Sequence, residues 1–307
     1  MLHISDHQVD ASVRFDDAVS VLHQAFKDFG EQKAAMQERI RTEAAGVKLS
    51  TLGAVIPGQG VTGAKVYTTI AGQFTFVILL FSTETGQPLA TFDAAAITRL
   101  RTAACSVIAA RYLARRQPAV MALLGAGVQG QYHALQMSRI YGLKEIRIFD
   151  PYLPAGVEQK LAEQTGAKII LCAAEQAIEG AELIVTASRS TTPLFRGELV
   201  APGAFIAAIG SSLPHTRELD DTTLQRAGTL AVEWKPQSLR EAGDLVLAAP
   251  ASLQPERIVE LGELTTGRHP GRRTDEEITI YKTVGVGLED IALAGLAYRN
   301  FQKASAA

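Results

Sequence analysis

AVMALLGAGVQG, residues 119–130, is the stretch that decides how this chain folds. An apolar run, Ala119 to Leu124, leads into Gly125-Ala126-Gly127-Val128-Gln129-Gly130, with G-x-G-x-x-G spacing. A helical pattern opens after it, and a second β-prone run, Glu145 to Phe149, carries Asp150 at its tip. In such a strand–turn–helix unit, Gly125 permits the tight turn and Gly127 lets the backbone approach a pyrophosphate. Gly130 allows helix and strand to pack closely. Unpaired N–H groups at the helix start then receive the phosphates. Asp150 lies 25 positions after Gly125, close to the spacing of an acid that accepts from ribose hydroxyls. The glycines alone would suit an ordinary βα turn, but strand, helix and acid in register point together to a dinucleotide. A carboxylate at 150 repels a 2′-phosphate, and Pro151-Tyr152 supplies no arginine to receive one. NAD is therefore the expected cofactor, with NADH preferred over NADPH.

At 307 residues the chain exceeds the usual single-domain size, so two domains are expected. Its 30 Lys plus Arg against 32 Asp plus Glu leave no basic excess, and no nucleic-acid or anionic-membrane partner is expected. Apolar runs such as Phe76 to Phe81 are too short to cross a bilayer. MLHISDHQVD lacks a basic-then-apolar signal pattern. Cys105 and Cys172 stand far apart in apolar contexts, as buried thiols of a reducing compartment do. The six histidines are scattered without ligand spacing, so no metal site is expected. These readings describe a cytoplasmic protein.

Residues 15–29 place Phe15, Ala18, Val19, Leu22 and Phe26 at helical spacing. Short β-prone runs follow at Leu52–Ile56, Ala64–Ile70, Phe74–Phe81 and Leu89–Phe92, as in an antiparallel meander. Helical periodicity returns over 95–115, and Gln117-Pro118 makes a hinge. Strands are then predicted at Val120–Leu124, Glu145–Phe149, Lys168–Leu171, Leu183–Ala187, Phe205–Ile209 and Leu230–Val232. Helical patterns separate most of them. Thr283 to Lys303 reads as a long Ala- and Leu-rich helix that returns to the first domain. The fold class is α/β: a Rossmann doubly wound parallel sheet, residues 118–284, inserted into a discontinuous α+β domain of 1–117 plus 285–307.

Several stretches together resemble the ornithine cyclodeaminase/mu-crystallin family. They are Arg41-Thr42, Gly63-Ala64-Lys65-Val66, AITRLRTAACSVIAARYLA (96–114), LLGAGVQGQYHALQM (123–137), AIGSSLPHTRELDD (208–221), LREAGDLVLA (239–248) and GRRTDEEITIYKTVGVGLEDIA (271–292). The resemblance implies an amino or imino acid held by its carboxylate in a cleft between two domains. Arg41 and Arg101 match the basic residues facing it, and a planar guanidinium offers a carboxylate two parallel donors. By pattern alone both would be surface arginines. Alternation sends Lys65 to one strand face, where solvent is the simpler expectation; the resemblance places it beside substrate as a proton donor. For the cofactor, the resemblance implies Arg101, Val128, Gln129, Ser188, Ile209, Gly210, Ser211 and Thr283, with Val284 beside the substrate. A helix start is the plainer reading of Thr283-Val284.

Ser212 departs from part of the family. Cyclodeaminases carry an aspartate there, suited to activating an amine, and a hydroxyl is a far poorer base. Mu-crystallin-like reductases have serine. Lys65 and Ser212 are thus the candidate catalytic residues of an NAD(P)H-dependent oxidoreductase acting on C=N bonds. Its expected substrate is a small ketimine, such as pyrroline-2-carboxylate or piperideine-2-carboxylate, reduced to the amino acid. The alternatives are an ornithine cyclodeaminase-type lyase releasing ammonia and an alanine dehydrogenase-like enzyme. The resemblance also implies a homodimer, formed through the first domain's sheet.

Overall fold

The computed structural model describes the backbone of residues 1–306 and side chains through Ala304. It divides into two compact units, Met1–Cys105 with Gly285–Ala307, and Ser106–Val284. The first unit opens with β1 (Leu2–Ile4), α1 (Asp6–Ser12) and α2 (Phe15–Gly30). Strands β2 (Ala35–Met36), β3 (Ile40–Ala44), β4 (Val47–Ile56), β5 (Val61–Ile70), β6 (Gln73–Ser82) and β7 (Pro88–Asp93) follow, then α3 (Ala95–Leu113). Helix α2 buries the spaced residues Phe15, Ala18, Val19, Leu22 and Phe26, the stripe expected of an amphipathic helix. The sheet runs β1-β7-β6-β5-β4-β2, with β3 also on β4. From β4 to β7 it is the antiparallel meander expected. Parallel β1 is an addition, since three residues are too few to show a period.

Register sorts the faces of this sheet. Arg41 pairs with Ser50, Ser50 with Tyr67, and Tyr67 with Phe76. In the neighbouring row Lys65 lies between Leu52 and Ile78. Paired residues share a face and alternate residues return to it, so Arg41, Lys65, Tyr67 and Phe76 point one way. Ile40, Val47, Leu49, Val55, Ile70 and Val77 take the opposite face, and all six are exposed.

The second unit alternates strands and helices. In order these are β8 (Val120–Leu124), α4 (Val128–Tyr141), β9 (Glu145–Phe149), α5 (Val157–Thr165), β10 (Lys168–Leu171), α6 (Ala174–Ile178) and β11 (Leu183–Thr186). Then come β12 (Phe205–Ala208), α7 (Asp221–Arg226), β13 (Ala227–Val232), α8 (Lys235–Glu241), α9 (Gly243–Val246), β14 (Ile258–Glu260), α10 (Leu261–Thr265) and β15 (Ile278–Lys282). All eight strands are parallel, in the order β10-β9-β8-β11-β12-β15-β13-β14. Sheets of this kind are covered on both faces, so their strands are continuously apolar; β11 and β12 are buried at every residue. Strand order reverses between β8 and β11, and ligands of open parallel sheets enter at the carboxyl ends beside such a point.

The C-terminal helix α11 (Gly287–Ala306) packs on β4, β5 and α2. It starts four residues later than the periodicity of Thr283 to Lys303 predicts. Thr283 is not a helix start: its N–H donates to Ala208 at 3.1 Å, extending the β12–β15 pairing. Gly285, at φ +76°, stands in the left-handed region and interrupts any helix there. Strand β15 was not anticipated either. Its sequence ITIYK ends in a charge, yet all five residues are buried.

Candidate active site

The glycine turn differs at each position in what a side chain would meet. Gly125 has φ +97°, and a Cβ there would lie 2.6 Å from the Ala187 carbonyl oxygen. A Cβ on Gly130 would lie 1.9 Å from the Gly125 carbonyl oxygen, so helix α4 and the turn touch through that hydrogen. A Cβ on Gly127 meets nothing within 4 Å. Gly127 caps α4 and, with Gly125, Asp150 and Ser188, lines a cavity of about 670 Å³. A helix start, an open glycine and an acid at the neighbouring strand tip fit a dinucleotide. Asp150 is fixed by two backbone donors, Ala126 N–H and Tyr152 N–H, each at 2.8 Å. Val128 is exposed at the first helical position, whereas Gln129 is half-buried. Arg189 also enters the lining, a cation that reading along Glu145 to Tyr152 does not include.

The loops after β11 and β12 are held by a fully buried carboxylate. Glu218 accepts from Ser188 N–H at 2.7 Å, Ser188 Oγ at 2.8 Å and Thr186 Oγ1 at 2.9 Å. Gly210 N–H and Ser211 N–H complete its shell at 2.8 and 3.1 Å. Burial raises this carboxyl above its ordinary value, and the Lys282 ammonium opposes the rise. Lys282, itself fully buried, pairs with Asp244 at 3.0 Å and donates to the Ala208 carbonyl at 3.1 Å. Asp244 in turn accepts from Glu218 N–H at 2.6 Å and Leu219 N–H at 2.9 Å. Ser188, Gly210 and Ser211 therefore belong to one braced group. Ile209 is buried beside them in sequence, and Ser212 is half-buried with its N–H on the Gly210 carbonyl at 3.0 Å. A second buried acid, Glu233, accepts from Thr283 Oγ1 and, at 3.1 Å, from Val284 N–H.

In the first unit, Lys65 is 3% exposed, against the solvated position that strand alternation suggests. The reason is α11: its first turn delivers Asp290, fully buried, 3.1 Å from the Lys65 ammonium. Lys65 also donates to Thr98 Oγ1 at 2.6 Å and stands 4.5 Å from the centroid of Phe76. Burial pulls its pKa down to about 8; Asp290 resists the fall, and Arg101 and Arg39 add to it. Arg101 is also buried and pairs with Glu289 at 2.7 Å and, through Nε, with Asp290 at 3.6 Å. Arg39 donates to the Gly285 carbonyl at 2.6 Å. Arg41 is half-buried on the sheet face that carries Lys65. The cluster thus gathers Lys65 with Arg101, and adds three residues that sequence reasoning missed: Arg39, Glu289 and Asp290. Two adjacent acids inside the apolar run Val284 to Ala292 were the available signal.

The profile of the ornithine cyclodeaminase/mu-crystallin family matches residues 2–305. A protein of Bordetella pertussis Tohama I, described as a probable ornithine cyclodeaminase, has a crystal structure that superposes with a TM-score of 0.98. It is 55% identical, over 100% of this chain and 98% of that one. The Δ1-pyrroline-2-carboxylate reductase of Thermococcus litoralis, solved with NADH and L-proline, gives 0.93 at 25% identity, over 99% and 98% of the two chains. The ketimine reductase mu-crystallin of Rattus norvegicus is 35% identical over 72% of this chain and 68% of its own length. Relatives named alanine dehydrogenase and ornithine cyclodeaminase also match. Among the described residues no helix is long and apolar enough to cross a membrane. The chain belongs to the ornithine cyclodeaminase/mu-crystallin family.

Proposed function

We propose that the protein is an NADH-dependent reductase of small 2-carboxylated imines, including pyrroline-2-carboxylate and piperideine-2-carboxylate. The observation that carries this reading is the buried ammonium of Lys65, held by Asp290 and Thr98 beside Arg101 and Arg39. Three cations, Arg39, Lys65 and Arg101, stand against two acids, Glu289 and Asp290. A cluster this rich in cations suits a substrate carboxylate. Arg41 and Arg101 receive that carboxylate, and Val284 bounds the same substrate. Lys65 holds the proton that, given to the imine nitrogen, makes the imine carbon electrophilic; with a pKa of about 8 it is roughly nine-tenths protonated at neutral pH. Bound NADH supplies the hydride. Gly125, Gly127, Val128, Gln129 and Gly130 hold its pyrophosphate end, and Asp150 its ribose. Ser188, Ile209, Gly210, Ser211, Thr283 and Arg101 complete the cofactor's surroundings.

Ser212 favours reduction over cyclodeamination. Its hydroxyl is no base at neutral pH, and the nearest acid of that loop, Glu218, is occupied by five donors. NADH oxidation across a panel of cyclic and linear ketimines, with and without ammonia, tests the proposal. Turnover of a cyclic imine without ammonia supports it. Ammonia release from ornithine without net NADH change would establish the lyase, and a requirement for ammonia plus a keto acid the dehydrogenase.

The preference for NADH belongs to the same proposal, because Asp150 presents a carboxylate fixed by two N–H donors. Asp150→Ala is expected to narrow the ratio of kcat/KM for NADH over NADPH by about tenfold, or about 1.4 kcal/mol. An unchanged ratio would remove Asp150 from ribose selection. We also propose a homodimer through the first sheet, on the exposed face of Ile40, Leu49, Val55 and Val77. An apolar surface on the side away from Lys65 is what such an interface needs.

A further inference from the structure

We propose a second anion site, at the other edge of the parallel sheet, that takes a small multiply charged oxyanion of the pyrophosphate type. A cavity of about 440 Å³ is lined there by Arg111, Arg115, Arg116, Arg272, Arg273 and Asp275. Arg115 and Arg116 lie just before β8, and Arg272 and Arg273 just before β15. The site thus stands at the amino ends of the strands, whereas Gly125, Asp150 and Ser188 stand at the carboxyl ends. A five-residue strand separates the two edges by roughly 15 Å.

Charge is what makes this cavity unusual. The Arg272 guanidinium donates only to neutral oxygens, among them Leu113 O at 2.7 Å, Gly203 O at 3.0 Å and Thr279 Oγ1 at 3.1 Å. Arg115 likewise holds the carbonyls of Asp275 at 2.8 Å and Pro202 at 3.2 Å. Arg111 and Arg116 are exposed and form no ion pair among the described residues. Arg273 alone has a carboxylate partner, Glu277 at 3.0 Å. Five guanidinium groups therefore surround one cavity, four of them without a carboxylate partner among the described residues, with Asp275 as the single acid in its wall. Burial holds Arg272 below its ordinary pKa, and the charge of Arg115 adds to that effect while Glu277 opposes it, so crowding carries an electrostatic cost that an anion relieves. Bracing the loops before β12 and β15 accounts for Arg115 and Arg272, and the negative end of α3 for Arg111. Neither accounts for Arg116 on the same wall. Planar guanidiniums converging on a small volume match the paired oxygens of a phosphate group.

Calorimetric titration of the full-length protein with pyrophosphate, at constant ionic strength and with NADH saturating the glycine turn, tests the site. Saturable binding is expected, weakened about tenfold or more in an Arg111→Gln, Arg116→Gln double variant that keeps its Tm and its NADH affinity. Absence of saturable heat, or equal affinity in the double variant, would overturn the proposal. A single-stranded oligonucleotide that binds more tightly than pyrophosphate at equal phosphate concentration would also overturn it, in favour of a nucleic-acid surface.

Discussion

Replacing Lys65 by alanine is expected to lower kcat on the best imine by about 10²–10⁴-fold, the range for removing a positioned proton donor. NADH affinity and far-UV circular dichroism should stay near wild type, because the glycine turn and Asp150, proposed to hold the dinucleotide, lie in the other unit. Turnover within a fewfold of wild type would eliminate the lysine from the proton step. The pH profile gives a second readout. As the proposed proton donor Lys65 would act in its protonated form, so kcat/KM should be level at neutral pH and fall through about pH 8. Asp290 supports the charged form and holds that value up. Asp290→Asn should therefore move the descending limb to lower pH, a shift that a purely structural residue would not produce.

The same group bears on stability, with the opposite slope. Its folded value of about 8 lies below the ordinary 10.5, so between those values the unfolded chain binds more protons than the folded one. Stability then rises with pH across that window and is lost as pH falls through about 8. Lys65→Ala should flatten this part of the stability profile.

The largest effect on folding is expected at Lys282. Methionine there removes the ammonium 3.0 Å from Asp244 and leaves Asp244 and Glu218 buried without a cation. Breaking such a pair costs about 3–5 kcal/mol, a sizeable part of the roughly 5–15 kcal/mol that holds a domain folded. A fall in Tm of roughly 6–20 °C follows for a unit of this size, measurable by calorimetry. A change below about 2 °C, roughly half a kcal/mol, would mean that water or the backbone already compensates the acids. Because burial raises the Glu218 carboxyl, its folded form holds a proton better than its unfolded form. Its contribution is present at acid pH and lost as pH rises through the folded value.

The dinucleotide unit was legible because its signals are local. Strand, three glycines, helix and acid all fall within Ala119 to Asp150. The meander of the first unit was legible for a similar reason, since Pro57-Gly58, Ala71-Gly72 and Thr85-Gly86 punctuate it. What stayed hidden depends on distant partners. Strand β15 is inserted between β12 and β13, and nothing in ITIYK announces that Lys282 will meet Asp244. Glu289 and Asp290 resemble ordinary acids of a first helical turn, favourable there without any partner. Only packing of α11 on the first sheet reveals that they neutralise Arg101 and Lys65. Arg39 carried no such signal, because the stretch resembling the family begins at Arg41, two residues further along.

The three glycines of the turn are not equivalent targets for mutation. A methyl group at 125 or 130 would strike backbone oxygen, so any descendant of this chain must keep glycine there simply to fold. Position 127 carries no such obligation: its φ of −69° suits any residue, and the space around it is open. A lineage that gave up the dinucleotide could accept alanine, serine or a larger side chain at 127 while retaining the whole architecture. Gly127 is thus the position where use of the nucleotide leaves a mark separable from the demands of the fold.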